Sequence, residues 1–388
     1  MTTARTVWGI DVGQGALKAL KLREAGGDVF VDRFEIVRHS RILSRPGTDA
    51  RELIREALGR LTEAVSLSDS HVAVSVPGWG GYCRFVHLPP VDSTRIPEVV
   101  HYEATQQIPF PLEEVIWQWQ TFRDPDKPDS PDVDVGIFAL RRSDVGEMLL
   151  LFSEAGINID TMQMAPLALY NFMAFDRQAA DHGATLLADV GADETDFVVA
   201  DGRRIWTRTA HIGGNHFTEA LAQRLGVPFE QAEQTKCRPA GPDGGEEIRE
   251  ALQPAYDELA GQIRQAVDAY AAGHSNASFT RVLALGNCFR LPGLAESVEQ
   301  GLGIPVARIA GCNRLKLSDG VDAEALGGNV LALPVAYGLA VQGLGLTTLH
   351  ADFLPAGIAR KADWAQQGLA GAAGRVLRNL LSRLRSRR

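Results

Sequence analysis

The amino-acid sequence predicts an α/β fold of about two domains, in which one β-rich unit occurs twice. Three observations predict it. The chain has 388 residues, 45% of them hydrophobic, which suits about two domains with sizeable cores. A strand–turn–strand–strand pattern opens the chain and returns near residue 184. Each copy carries an Asp-Val-Gly turn, at Asp11 and at Asp189, in equivalent places.

The first half of the chain alternates strand and helix patterns. Alternating β-branched residues predict three opening strands, at 7–12, 16–23 and 28–37, which glycine turns separate. Leucine and alanine at helical spacing predict a helix at 50–66. By the same criteria this half also contains strands at 71–76, 83–88, 115–122 and 133–140 and helices at 97–107, 144–154 and 164–175.

The second half begins with the returning pattern, which predicts strands at 184–190, 195–200 and 204–211. Near the end of this half, an apolar stretch predicts a buried helix at 328–343 that Pro334 interrupts. Between them lie a predicted strand at 281–285 and predicted helices at 215–225, 229–235, 246–273 and 295–301.

Composition and charge exclude several classes of protein. The four cysteines include no C-x-x-C pair, so neither a zinc knuckle nor a redox pair is indicated. We find no apolar leader, and the longest apolar run, 330–341, is shorter than the roughly 20 residues of a spanning helix. The net charge is −9, although residues 360–388 hold eight basic residues and one acidic residue. An acidic body argues against a nucleic-acid partner.

The two Asp-Val-Gly turns indicate a phosphate site. Glycine at a hairpin turn, here Gly13 and Gly191, lets backbone N–H groups approach a phosphate closely. Asp11 and Asp189 can hold Mg²⁺ through water, and Lys18 adds a positive charge on the return strand. One such turn alone is more often an ordinary hairpin. Two turns in matching contexts predict a clamp around a triphosphate.

Three further segments have the chemistry to complete a nucleotide site. The two glycines at 213–214 precede a helix, and the Gly-Asn pair at 286–287 closes a strand, which suits anionic or planar ligands. Glu233 and Lys236 lie three residues apart on one helical face. With these segments, the sequence resembles the actin-like ATPase superfamily, whose fold duplicates a ribonuclease H-like unit.

The resemblance implies a cleft that binds ATP or ADP, with water-mediated Mg²⁺ at Asp11 and Asp189. It implies nucleotide contacts from Asp11, Gly13, Gln14, Gly15, Lys18, Asp189, Gly191, Thr195, Gly213, Gly214, Glu233, Lys236, Gly286 and Asn287.

A longer run narrows the resemblance. His101-Tyr-Glu-Ala-Thr-Gln-Gln-Ile-Pro-Phe-Pro-Leu-Glu-Glu-Val115 resembles the signature of the PilM family of type IV pilus assembly proteins, and the likeness extends over residues 5–345. It implies a cytoplasmic scaffold, peripheral at the inner face of the inner membrane, which docks a membrane protein of the PilN type. It also implies a two-lobed actin-like α/β fold with a small inserted α+β subdomain: a first lobe at 1–70 and 160–188, a partner-docking insert at 71–159 and a second lobe at 189–345.

Departures from the superfamily motifs predict slow or no ATP hydrolysis. Gln14 and Gly15 stand where relatives carry Ser or Thr hydroxyls, and Asn287 replaces a second glycine of the adenosine motif. Hydrolysing relatives place a carboxylate or carboxamide on the helix before the second phosphate turn. The corresponding residues here, 161–175, include no Asp or Glu, although Gln163 and Asn171 occur among them. We therefore expect nucleotide to act as a ligand that selects one arrangement of the lobes.

The C-terminal part carries two separate predictions. Residues 346–365 form a connector, in which Leu349-His-Ala-Asp-Phe-Leu-Pro355 resembles the I-N-L-L-P docking pattern of PilN. We hypothesise that it lies in a docking groove, in cis or in a neighbouring subunit; a plain packed connector is an equal alternative.

Residues 366–388 have a basic amphipathic pattern, which suits an anionic membrane surface or a protein partner. A solubilising tail is the alternative.

Two other functions stay open at this point. A filament-forming, membrane-anchored cytoskeletal protein resembling FtsA would share the fold and would self-associate. A sugar-kinase-like phosphotransferase would need a catalytic carboxylate beside an acceptor pocket. Asp189 is available for that role, although the insert before it resembles a docking module.

Overall fold

The computed structural model describes residues 5–88, 90–122, 133–180, 182–202, 204–238, 245–274 and 276–355. The second part of the connector and the basic segment 366–388 lie outside these ranges. Within them, fourteen strands form three sheets. The strands are β1 (Arg5–Val12), β2 (Ala16–Ala25), β3 (Asp28–Arg38), β4 (His71–Val76), β5 (Gly81–Leu88), β6 (Val115–Phe122), β7 (Val133–Arg141), β8 (Thr161–Met164), β9 (Ala184–Val190), β10 (Thr195–Asp201), β11 (Arg204–Ala210), β12 (Phe279–Leu285), β13 (Val306–Arg308) and β14 (Leu315–Leu317).

The described residues also form ten α-helices, most of them within a few residues of the predicted ones. They are α1 (Ala50–Ala64), α2 (Ile96–Gln107), α3 (Arg142–Glu154), α4 (Ala165–Phe175), α5 (Gly214–Leu225), α6 (Phe229–Cys237), α7 (Gly245–Gly273), α8 (Leu294–Leu302), α9 (Ala323–Asn329) and α10 (Pro334–Gly343).

The two large sheets share one topology. In the first sheet the order is β14-β3-β2-β1-β4-β8, and in the second it is β11-β10-β9-β12-β13. Each begins with an antiparallel three-strand meander, β1–β3 or β9–β11, followed by two strands parallel to the first. The duplication read from the sequence is therefore a duplication of a five-strand unit, and β14 is an addition to the first copy.

The insert is a small layer with a core of its own. Its sheet has the order β5-β7-β6, and α2 packs against it. Val100 and Ala104 on the helix are buried together with Val135 and Ile137 on the central strand. A separate core indicates that the insert is a compact module rather than a loop.

The sheets divide the chain at points different from the predicted divisions. β4, expected in the insert, pairs in parallel with β1, and α3 packs against α1 of the first lobe. β9 lies in the second sheet, whereas β14 and α10 return to the first lobe. The sheet of the insert accordingly covers residues 81–141. Parallel pairing joins strands that are far apart in sequence, so local patterns do not reveal these memberships.

Helix α10 is wedged between β1 and α4. A Cβ atom added at Gly338 would overlap the carbonyl oxygen of Ala168, and one added at Gly9 would overlap that of Ala336. As predicted, the chain breaks at Pro334, where the segment Ala323–Ala332 meets α10 at 97°. Among the described residues no single helix is long and apolar enough to cross a membrane, although this bent pair passes a test of length and composition.

Candidate functional site

The two Asp-Val-Gly turns are built in the same way. Gly13 N–H donates to the carbonyl of Ala16 at 3.1 Å, and Gly191 N–H donates to the carbonyl of Glu194 at 2.9 Å. Asp11 pairs across its hairpin with Lys18, and Asp189 occupies the equivalent place in the other lobe. The sheet topology thus gives each lobe one glycine turn with an aspartate at its strand end.

Lys18 connects the two turns electrostatically. Its Nζ lies 2.8 Å from Asp11 Oδ2, while the Ser75 hydroxyl donates to Asp11 Oδ1 at 2.8 Å. Burial by itself lowers the pKa of Lys18, but the carboxylates of Asp11 and Asp189 outweigh it, so that the pKa is raised. Both carboxylates thus act electrostatically on one ammonium group, which indicates that the two turns lie near each other.

The position equivalent to Lys18 in the second lobe is an acid. Asp196 lies opposite Asp189 in the β9–β10 register, as Lys18 lies opposite Asp11. Burial raises the pKa of Asp189 to about 7 and that of Asp196 to about 7, and each carboxylate is further disfavoured by nearby acids. Burial also raises the pKa of Glu194 to about 7. The second turn therefore holds protons near neutral pH.

The residue types in the cleft suit Mg²⁺ that arrives with its own oxygen ligands. Among the described residues, no three His, Cys, Asp or Glu side chains are grouped so as to hold a metal ion by themselves. Asp11 and Asp189 supply one carboxylate from each lobe, as Mg²⁺ with phosphate and water ligands needs.

The start of α5 is attached to the second turn. Gly214 N–H donates to the carbonyl of Gly191 at 2.9 Å, and Asn215 N–H to that of Ala192 at 2.7 Å. A Cβ at Gly213 would lie 2.6 Å from the Ala192 carbonyl oxygen, so a side chain does not fit there. The glycines at 213–214 thus hold helix and turn together, and two N–H groups of the helix start already have partners.

Thr195 has a structural contact. Its buried hydroxyl donates to the carbonyl of Ile212 at 2.7 Å, which ties β10 to the loop before α5.

The Glu233–Lys236 pair lies beside the glycines at 213–214. Lys236 Nζ donates to the Gly214 carbonyl at 2.8 Å and to the Thr218 hydroxyl at 2.7 Å, and lies 2.7 Å from Glu233 Oε2. Burial raises the pKa of Glu233, but Lys236 outweighs burial and the pKa is lowered. This side of the cleft therefore carries a charged pair with fixed geometry.

The segment at 286–287 closes against the second turn. Gly286 has φ +87°, and a Cβ there would overlap the Val190 carbonyl oxygen. Its N–H donates to the Leu331 carbonyl at 2.9 Å, and Asn287 Oδ1 accepts from Arg290 Nε at 3.1 Å. The predicted site residues of the second lobe therefore lie together around the Asp189-Val-Gly191 turn. They are the residues of 189–191, 213–214, 233–236 and 286–287.

Gln14 and Gly15 have backbone roles in the first turn. Their carbonyls accept from the N–H groups of Leu43, at 3.0 Å, and His39, at 3.2 Å. Gln14 Oε1 is a buried oxygen for which the described residues provide no hydrogen-bond donor. A Cβ at Gly15 would meet nothing within 4 Å, so packing does not require glycine there.

Gln163 and Asn171 do not serve the cleft. Gln163 Nε2 donates to the carbonyl of Ala351 at 2.7 Å, and Asn171 Nδ2 to that of Leu349 at 3.2 Å. Both carboxamides are buried against the connector. The two side chains that the sequence offered for orienting water are therefore used elsewhere.

Sequence reasoning missed the contact between the insert and Asp196. The Thr209 hydroxyl donates to Asp196 Oδ1 at 2.6 Å, and a Cβ at Gly78 would lie within 3 Å of both groups. Gly78 begins the turn that leads from β4 into β5, beside a cavity that Cys83 and Thr207 also line. The spacing of the duplication was an available signal, because it makes Asp196 the counterpart of Lys18.

A family model described as type IV pilus assembly protein PilM matches residues 9–344. The chain belongs to the PilM family of type IV pilus assembly proteins. The predicted family is confirmed, and with it the actin-like α/β fold.

Solved structures similar to this PilM-family chain include a PilM–PilN type IV pilus biogenesis complex with 23% sequence identity. The match covers 87% of this chain and 98% of that chain, with a TM-score of 0.72. At this identity the likeness shows the fold. The ethanolamine utilization protein EutJ from Carboxydothermus hydrogenoformans is 15% identical; the match covers 87% of this chain and 89% of that chain, with a TM-score of 0.49. MreB5 of Spiroplasma citri bound to ADP is 11% identical; the match covers 86% of this chain and 97% of that chain, with a TM-score of 0.46.

Proposed function

We propose that this PilM-family chain is a cytoplasmic ATP-binding scaffold of a type IV pilus or a related secretion or DNA-uptake machine, and that it docks a membrane partner of the PilN type. The observation that carries the nucleotide part is Lys18, which interacts with Asp11 of its own lobe and Asp189 of the other. Two glycine turns whose aspartates both act on one ammonium group suit a triphosphate that carries Mg²⁺.

Slow or absent hydrolysis is part of the proposal. The carboxamides of Gln163 and Asn171, which would otherwise orient a water molecule, donate to the connector backbone. Nucleotide then acts through its contacts to both lobes, because a ligand shifts a conformational equilibrium only by binding one arrangement more tightly.

The partner part of the proposal is supported by the family and by the matched structure, a complex of PilM with PilN. The insert is a compact module with its own core, and Gln120 on its strand β6 bonds the connector. We propose that a short PilN-type peptide docks at this junction, at the inner face of the inner membrane.

The testing experiment is calorimetric titration of purified full-length protein with Mg-ATP, beside an Asp11→Ala variant. We expect micromolar binding to the wild type and at least 30-fold weaker binding to the variant, since removal of Asp11 takes away the partner of Lys18 and Ser75. Asp69→Ala, on an exposed aspartate outside the cleft, is the matched control. Absent binding to folded wild-type protein would mean a scaffold that works without nucleotide.

The proposal also includes two predictions made from the sequence: segment 366–388 binds an anionic membrane surface, and the protein self-associates. A basic amphipathic segment gains about 1 kcal/mol per basic residue near an anionic surface. Flotation of the full chain with phosphatidylserine liposomes, lost on removal of 366–388, is the expected result. If the shortened chain floats as well as the full chain, segment 366–388 does not bind the membrane.

A further inference from the structure

The first part of the connector is an extended segment bound in cis. Residues 347–354, here called the strap, follow α10 and lie along β8. Leu349, Ala351 and Phe353 are buried, whereas His350 between them is exposed. This period of two is the burial pattern of a strand with one face against a core. The strap therefore lies in a groove rather than across the surface.

One side of the groove is the edge of the first sheet. β8 is the outermost strand of that sheet on its side. Phe353 N–H donates to the Met162 carbonyl at 2.8 Å, and Met162 N–H donates to Asp352 Oδ1 at 3.0 Å. An open strand edge is a template for an added extended chain, and the strap occupies that position.

Carboxamide side chains from several elements, including β8 itself, bind the strap backbone. Gln120, on the insert strand β6, donates to the Thr348 carbonyl at 2.6 Å and accepts from His350 N–H at 2.9 Å. Gln163 and Gln342 both donate to the Ala351 carbonyl, at 2.7 and 2.9 Å. With Asn171 on Leu349, four carboxamides from four different elements satisfy one extended backbone.

These contacts tolerate a change of peptide sequence. The carboxamides contact only main-chain atoms of the strap, so any extended chain with apolar residues at three alternate positions can make the same bonds. Gln163 and Asn171 are fully buried, and apart from the strap carbonyls their amide groups share one acceptor, Gln342 Oε1, at 3.1 and 3.0 Å. Without the strap these amides lose acceptors, and an unsatisfied buried polar group costs about 1–3 kcal/mol. The groove is accordingly built for a bound peptide backbone and is costly to leave empty.

We infer that the strap is an autoinhibitory ligand in cis: it fills the groove that a docking peptide of the membrane partner must enter, and it has to leave first. The inference rests on the proposed partner. The short link from α10 gives the strap an effective concentration on the order of millimolar, so a free peptide competes at a disadvantage. Gln120 belongs to the insert, so release of the strap also removes a link between the insert and the first lobe.

The experiment measures binding of a fluorescein-labelled synthetic peptide containing I-N-L-L-P to the full chain and to a Leu349→Ala/Phe353→Ala variant. This variant weakens the strap and leaves the groove unchanged. We expect at least tenfold tighter binding to the variant. Asp352→Ala, which removes the bond to Met162 N–H without opening the core, is the second variant and should act in the same direction.

Equal binding to wild type and variant would overturn the inference, while the proposed partner would stand with a different docking surface. A second probe is the labelled strap peptide, residues 346–355. If the strap peptide binds the variant and the I-N-L-L-P peptide binds neither protein, the partner proposal fails and the strap does not regulate it. Hydrogen exchange of the strap amides gives an independent readout: faster in Gln120→Ala, unchanged in the control Gln118→Ala on the same strand.

Discussion

Asp176 joins three separate parts of the chain through one buried carboxylate. It follows the end of α4 and is fully buried. Its oxygens accept from the N–H groups of Asn313 and Arg314, both at 3.0 Å, and from the Tyr337 hydroxyl at 2.8 Å. The loop before β14 and the middle of α10 are thereby fixed to the same point of the first lobe.

Asp176→Ala should lower the free energy of unfolding by about 3 kcal/mol or more, because it leaves the buried Tyr337 hydroxyl and two loop N–H groups without their acceptor. Urea unfolding followed by circular dichroism measures it. Asp319→Ala, on an exposed turn aspartate, should change stability by less than about 0.5 kcal/mol. A similar loss in both variants would contradict the assigned role.

The acids of the second turn predict a pH dependence of stability. The pKa values of Asp189 and Asp196 are raised from 3.8 to about 7 in the folded protein, so the folded state binds more protons than the unfolded state between these values. Stability must then fall as pH rises through this window. We expect a loss of about 1–3 kcal/mol between pH 5 and 7.5, measured by urea unfolding without nucleotide or divalent cation.

Asp196→Asn should flatten this pH dependence, because it removes one titrating carboxyl and relieves its neighbour. Asp69→Asn, at an exposed site outside the cleft, should leave the slope as in the wild type. An unchanged slope in Asp196→Asn would show that other groups titrate instead.

For single residues, the sequence indicates which side chains are candidates for the cleft better than it indicates which atoms they contact. Asp11, Lys18 and the second-lobe glycines follow from short motifs, because turn chemistry is local. The contacts of Asp176 join segments more than 130 residues apart in the chain, so no local pattern marks them. Gln163 and Asn171 were only noted as the carboxamides of residues 161–175; Gln163 lies on β8 and Asn171 on α4, and both donate to the connector, because the direction of a side chain depends on packing.

At the scale of elements, the crossing of α10 over α4 has the closest backbone contact. Gly338→Ala should destabilise the protein by about 3 kcal/mol or more, since the added Cβ overlaps the Ala168 carbonyl and the helix must move. Gly327→Ala in the exposed helix α9, with nothing within 4 Å of its Cβ, should instead stabilise by about 0.5 kcal/mol. Thermal unfolding of both variants checks the opposite signs.

The elements themselves follow from sequence to different degrees. The two meanders are predicted within a few residues, because alternation and glycine turns mark them. β8 is absent from the prediction: all four residues of Thr161–Met164 are buried, and a short buried run shows neither strand nor helix periodicity. The strands β13 and β14, of three residues each, are too short for a pattern.

At the scale of the whole molecule, the two lobes contribute one turn each to one cleft. Mg-ATP should therefore slow hydrogen exchange in both hairpins, 11–18 and 189–196, although they belong to different sheets. Exchange measured by mass spectrometry with and without Mg-ATP checks it. Asp11→Ala should lose the protection in both lobes together, whereas protection of one hairpin alone would argue against a shared ligand.

The position of the strap along the chain has a consequence for synthesis. The edge strand β8 is translated nearly two hundred residues before the strap that covers it. At 5–20 residues per second, a ribosome exposes that edge for about 10–40 seconds. During this interval β8 has no occupant from its own chain, although Gln342, which completes the groove, follows only just before the strap. A partner peptide present beside the translating ribosome would pair with the β8 edge without displacing anything, so the order of synthesis can decide which chain that edge holds first.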